Sequence, residues 1–171
     1  PEEEMPNIRG KRVDLIVNSH GHADHCSRNH EFPQARVLLH ESEHERVVSG
    51  EAYLKAWGFY RFNETEFRPH YLAAVHWHSR PADGTLHDGQ VITTGAVEFE
   101  VMHLPGHSVG HCGFLFPREG FVFTADINLD SFGPWYGTID SGIDEFLETL
   151  ERLRRLNLDM LVAGHGPAVI T

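Results

Sequence analysis

The segment His20-Gly21-His22-Ala23-Asp24-His25 packs three imidazoles and a carboxylate into six consecutive positions. Imidazole nitrogen and carboxylate oxygen are the ligands that zinc and other first-row divalent ions accept. In an extended segment residues i and i+2 point the same way, so His20 and His22 can converge on one ion. Asp24 and His25, where the chain turns toward a helix, can face a second, and the small Gly21 and Ala23 keep bulk out of the loop. Three further candidates stand in short motifs: His107 in PGHSVGH, Asp126 in FTAD and His165 in AGHG. A single histidine in a loop is most often an ordinary surface residue. A set of seven such groups, each beside small residues and each placed after an apolar run, is poorly explained that way.

The elements that must position these groups are legible as apolar runs. Val13 to Asn18 reads as a strand that stops at the histidine cluster. A strand at Arg36 to His40 precedes Ser42 and Glu45, whose capping-box spacing predicts a short helix ended by Gly50. After turns at Asp83-Gly84 and Asp88-Gly89, strands are expected at Gln90 to Thr94 and Val97 to His103, the latter leading into Pro105-Gly106-His107. His111 to Phe116 and Gly120 to Thr124 follow, the second delivering Asp126. Ile143, Phe146, Leu147, Leu150 and Leu153 recur at helical spacing and predict a helix over Gly142 to Leu156, with Ser141 and Asp144 available to cap its start. Met160 to Ala163 is a last strand ending at Gly164-His165-Gly166. Strand ends are where α/β proteins place their sites.

H-x-H-x-D-H, P-G-H-S-x-G-H, a strand-end aspartate and G-H-G, in that order, resemble the metallo-β-lactamase superfamily, from about Val13 to Pro167. The resemblance implies an α/β fold, a four-layer αββα sandwich. It also implies that His20, His22 and His107 bind one metal, that Asp24, His25 and His165 bind another, and that Asp126 bridges them. Two divalent ions are expected, zinc first, with iron or manganese as alternatives. An aspartate at 126 in place of a thiolate, together with Asp24, disfavours β-lactamase activity. The full ligand set is similar to that of glyoxalase II and acyl-homoserine lactonases, although the basic glutathione-binding signature of glyoxalase II is not recognisable. The expected activity is hydrolysis of a small ester, thioester or lactone. Two metals can hold a hydroxide nucleophile between them and polarise the carbonyl, with Asp24 and Asp126 as the catalytic carboxylates. Phosphodiester cleavage on the same ligands, and an iron redox module, are the competing readings. Relatives carry several strands ahead of the first histidine motif, and few residues precede Val13 here. N-terminal strands are therefore expected to be missing, with a second copy or a partner segment covering the sheet edge.

Composition fits one domain over 1–171: the chain has 171 residues, 40% hydrophobic. A formal charge of −11, from 25 acidic and 14 basic residues, disfavours nucleic acid as a partner and leaves a small-molecule substrate. Arg152, Arg154 and Arg155 fall on the predicted helix beside Glu148 and Glu151, as a solvated face does. No apolar run reaches membrane-span length, and no signal peptide is visible. Cys26 and Cys112 are too few for a disulfide framework, which points to a cytoplasmic setting and to packing roles beside their motifs. His111 is expected to be a supporting or a core histidine rather than a ligand. The aromatic segment 51–83, with Trp57, Phe62 and Trp77, is expected to form a substrate-facing cap. The stretch 128–137, with Phe132, Trp135 and Tyr136, is expected at the pocket mouth, and Tyr136 is a candidate substrate hydrogen-bonding group.

Overall fold

The structure is a computed structural model that describes residues 8, 10–61, 67–128, 133–156 and 160–166. Phe62, Phe132 and Pro167, named above, lie outside them.

Two sheets carry the chain. In the first, β1 (Leu15–Val17), β2 (Arg36–His40) and β3 (Gly84–Leu86) run parallel in the order β1-β2-β3. The unbroken apolar run Val37-Leu38-Leu39 of β2 is buried throughout, as expected of a parallel strand covered on both faces. In the second, β4 (Val91–Thr93), β5 (Glu98–His103), β6 (Cys112–Phe116) and β7 (Phe121–Ala125) form an antiparallel meander, and β8 (Met160–Ala163) adds parallel to β7. In β5, Phe99 and Val101 are buried while Glu98 and Glu100 are half-exposed, the two-residue period of a strand with one face on a core.

That core lies between the sheets. Leu38 and Leu86 of the first sheet pack with Ile92, Phe99, Val101, Cys112 and Phe114 of the second. On the outer face of the second sheet, Met102, Leu104, Val122 and Ile127 bury Phe146 and Leu153 of helix α4 (Ile143–Arg154). On the outer face of the first, Leu39 meets Cys26 of α1 (Ala23–Cys26) and Val47. The expected αββα layering is therefore present. Helices α2 (Gly50–Ala56) and α3 (Phe67–Ala74) complete the described elements. Among the described residues, no helix is long and apolar enough to cross a membrane.

Four local expectations change. Ser42 and Glu45 do not open an α-helix: 3-10 turns span Glu41–Glu43 and Glu45–Val47, because the Glu43 side chain turns inward instead of solvating. Gly50 starts helix α2 rather than ending one, since Ser49 Oγ accepts the Ala52 N–H at 3.1 Å and caps it. Gly142, without a side-chain cap, precedes α4, because Ser141 Oγ donates instead to the His107 carbonyl at 2.9 Å. The turn expected at Asp83-Gly84 opens into strand β3. Asp83 ties this segment to β2 by accepting the Val37 N–H on its carboxylate at 2.8 Å.

Candidate metal centre

Loops at the ends of β1, β5, β7 and β8 bring all seven candidate ligands together in two groups. His20, His22 and His107, all buried, form the first, and Asp24, His25, Asp126 and His165 form the second. Within each group the potential ligand atoms lie within 4.8 Å of one another.

In the first group, His107 Nε2 is 3.2 Å from His20 Nε2 and 2.9 Å from His22 Nδ1. Metal–nitrogen bonds of about 2.0–2.1 Å at tetrahedral angles put ligand nitrogens about 3.3 Å apart, so the spacing suits one shared ion. His20 and His22 are presented neutral. Burial, followed by the charges of neighbouring histidines, pushes His20 well below the ordinary imidazole value; burial, then His107 and Arg46, does the same for His22. The rings are also oriented from outside. His107 Nδ1–H donates to the Trp135 carbonyl at 2.8 Å, leaving the Nε2 lone pair inward, and Ser19 Oγ lies 3.1 Å from His20 Nδ1.

In the second group, His25 Nε2 lies 3.4 Å from Asp24 Oδ2 and 2.9 Å from Asp126 Oδ1, and His165 Nε2 lies 3.2 Å and 3.6 Å from the same two oxygens. Asp126 also reaches the first group, with Oδ2 3.4 Å from His107 Nε2 and 3.9 Å from His20 Nε2. One carboxylate thus turns an oxygen toward each group. Its Oδ1 is buried and, despite the close approach of His25, accepts no aligned hydrogen bond from the described residues, which is the position of an acceptor suited to a cation.

The Asp126 backbone is aimed by two devices. The β7–β8 register shifts between Phe123 and Ala125, and Ala125 takes a φ of +46°, a conformation a side chain adopts at some cost. His111, fully buried, donates its Nδ1–H to the Leu104 carbonyl at 3.0 Å and accepts the Asp126 N–H on Nε2 at 3.3 Å. Burial, then His107, brings its pKa down to about 3, so it stays neutral in that supporting role. Cys26 and Cys112 are buried thiols pushed up to about 12, by burial first and Glu43 second, as packing groups are. No local sequence signal marks the Ser141 hydroxyl, the Trp135 carbonyl, Tyr53 or Glu43 for these supporting roles. Tyr53 Oη accepts the Ala23 N–H at 3.1 Å and fixes the start of α1.

In the second group His25 faces two carboxylates. Burial works against a charged His25, but contact with Asp126 and Asp24 outweighs it and raises the imidazole to about 9. Asp24 is driven in the reverse direction: burial opposes ionisation, yet His25 and His165 hold it well below the usual carboxylate range. A folded-state value raised from 6.5 to about 9 gives stability that is fully present below 6.5 and lost as pH rises through 9. In chelator-treated protein the stability gap between wild type and His25→Gln should therefore be about 3 kcal/mol near pH 6.5 and close above pH 9. Thermal melts across that range check it, and a gap that widens with pH contradicts it.

A cavity of about 590 Å³ opens beside the second group, with Asp24 in its wall and Tyr53, Trp57, Tyr71 and Val75 among its apolar lining. Trp57 also stands against the His22 ring, with centroids 4.8 Å apart. Trp77 is placed differently. It is not part of that lining and packs on Tyr53, with centroids 5.7 Å apart. Tyr136 is 54% exposed, its ring 6.5 Å from Phe146.

The family model described as the metallo-beta-lactamase superfamily matches residues 3–165. This chain belongs to the metallo-beta-lactamase superfamily. Among superfamily relatives, a hydroxyacylglutathione hydrolase of Jannaschia sp. (strain CCS1) is 40% identical over 87 residues, covering 50% of this chain and 33% of that protein. An acyl-coenzyme A thioesterase of Gallus gallus is 27% identical over 166 residues, covering 94% of this chain and 59% of its own length. A metallo-beta-lactamase family protein from Thermus thermophilus superposes with a TM-score of 0.71 at 26% identity, covering 92% of this chain and 56% of the other. The chain spans about a third of the length of the curated hydrolase it matches.

Proposed function

We propose that this superfamily member is a hydrolase of small thioesters that works with two divalent metal ions. The observation that carries the reading is Asp126, whose two oxygens face the two ligand groups from one carboxylate. In this reading His20, His22 and His107 would hold one ion, Asp24, His25 and His165 would hold the other, and Asp126 would offer an oxygen to each. When bound, such a pair makes a nucleophile of water near neutral pH and polarises a carbonyl.

The chain's own groups supply the rest. Asp24, held ionised beside the cavity, accepts a hydrogen bond from the attacking water and orients it. Trp57, Tyr71 and Val75 take the apolar part of the acyl group and exclude bulk solvent from one side of the carbonyl. Two relatives named for thioester hydrolysis favour that bond over oxygen esters and lactones. So does the chemistry: a thiolate, with a pKa of about 8.5, departs without a general acid.

A panel of acyl thioesters, oxygen esters, lactones and a bis-aryl phosphate tests the reading on protein loaded with zinc, manganese or iron. We expect thioester kcat/KM to exceed that for the phosphodiester by about 100-fold or more, roughly 3 kcal/mol of discrimination. Chelation should abolish it and added metal restore it. Faster phosphodiester cleavage, or oxygen consumption by an iron-coloured protein, would replace the proposal with one of its competitors.

A further inference from the structure

Glu43 is the one fully buried carboxylate among the described residues, at 0% exposure. A carboxylate held that far from water costs several kcal/mol unless cations and donors surround it. Here they do. Oε2 accepts the Gly21 N–H at 3.1 Å and lies 2.8 Å from Arg46 Nε; Oε1 accepts the Ser108 hydroxyl at 2.7 Å and the Gly110 N–H at 2.8 Å.

These partners belong to the two loops that carry the three-imidazole group. Gly21 separates His20 from His22, and Ser108 follows His107. The closeness is built into the motifs. A Cβ on Gly21 would stand 2.5 Å from Arg46 Cδ and 3.0 Å from Glu43 Oε2, and one on Gly110 would stand 2.5 Å from Glu43 Cγ. Gly21 is therefore required by the approach of the Arg46 stem that pairs with Glu43, and Gly110 by the approach of Glu43 itself. Arg46, itself buried, continues the connection by pairing with Asp140. The next residue, Ser141, holds the His107 carbonyl at 2.9 Å. Gly21, Glu43, Arg46, Asp140, Ser141 and His107 thus form a belt around the first group. The second group is steadied by other contacts: Asn18 Nδ2–H donates to the His25 carbonyl at 2.8 Å, and His111 accepts the Asp126 N–H.

We infer that Glu43 is the positioning residue of the three-imidazole site: its carboxylate fixes the distance between the His20–His22 loop and the His107 loop, and so sets metal affinity there selectively. The inference rests on the metal reading above. Glu43 touches no substrate or ion, and it acts through the backbone that bears the ligands.

The test measures Co2+ affinity by chelator competition in two backgrounds, His25→Gln, which leaves the three-imidazole site, and His107→Gln, which leaves the other. Glu43→Gln keeps the side-chain shape but turns an amide NH2 toward N–H and O–H donors. In the His25→Gln background it should weaken Co2+ binding by about 10–100-fold, the usual loss when a group orienting a ligand is removed. In the His107→Gln background the change should stay within about threefold, below the loss of one such interaction. Val101→Ala, a core truncation between the sheets, should lower the melting temperature without changing either affinity. Should Glu43→Gln fail to fold, Ser108→Ala removes one donor and should cost about 3–10-fold in the first background alone. Equal losses in both backgrounds, no loss in a folded variant, or the same loss from Val101→Ala would overturn the inference. Wild-type protein that binds no Co2+ would overturn the metal reading itself, and this inference with it.

Discussion

Replacing Asp126 by alanine is expected to strip metal from both ligand groups at once and to lower thioester kcat/KM by about 10³-fold or more, roughly 4 kcal/mol of transition-state stabilisation. No other candidate ligand has that reach. Its Oδ1 lies 2.9 Å from His25 Nε2 and its Oδ2 3.4 Å from His107 Nε2, so removing the side chain takes an oxygen from each group. Loss of His165, an exposed residue of the second group, should empty that group alone. Cys26→Ala is the contrasting case. The Cys26 thiol sits beside the site, donating to the Gly21 carbonyl at 3.4 Å, but with its pKa near 12 it offers no thiolate. Elemental analysis after dialysis should find metal in the Cys26 variant and none in the Asp126 variant. Two ions retained by Asp126→Ala would show that the carboxylate is not shared.

The second large effect separates cavity walls from packing. Trp57→Ala with Tyr71→Ala removes two rings from the lining beside Asp24, and we expect KM for an apolar acyl thioester to rise about 10–100-fold while short acyl substrates change little. Burying one large apolar side chain is worth about 1.5–3 kcal/mol, and that sets the scale. Trp77→Ala should behave oppositely. Its ring rests on Tyr53, whose hydroxyl holds the start of α1, so truncation should cost about 3 kcal/mol of stability and leave acyl preference unchanged. Melting curves and an acyl-length series on the three proteins decide this. A selectivity change from Trp77→Ala would mean the cavity extends farther than its present walls.

The ligands were legible because their chemistry is rare and their spacing is local. Three imidazoles and a carboxylate within His20 to His25 need no long-range information, and the apolar runs before His107, Asp126 and His165 mark the strands that bring them together. Elements whose identity depends on distant contacts were not legible. Glu43 stands in the polar run Glu41-Ser42-Glu43-His44-Glu45, which reads as exposed. Only the partners 22, 65 and 67 residues away turn it inward. Ser141 resembled a helix cap for the same reason, its true acceptor being the His107 carbonyl. The three residues of β3, beginning at Gly84, are too short for a two-residue period to show. Nothing local announces the positive φ of Ala125 either. The parallel pairing of β7 with β8, with its register shift, imposes it.

Electron paramagnetic resonance of the Mn2+-loaded protein reads out whether Asp126 joins a pair of ions, as proposed. Two ions about 3.5–4 Å apart on a shared carboxylate couple magnetically. The expected spectrum is that of an exchange-coupled pair at two Mn2+ per chain, replaced by isolated-ion signals in His25→Gln. One ion per chain, or two that remain uncoupled in the wild type, would contradict it.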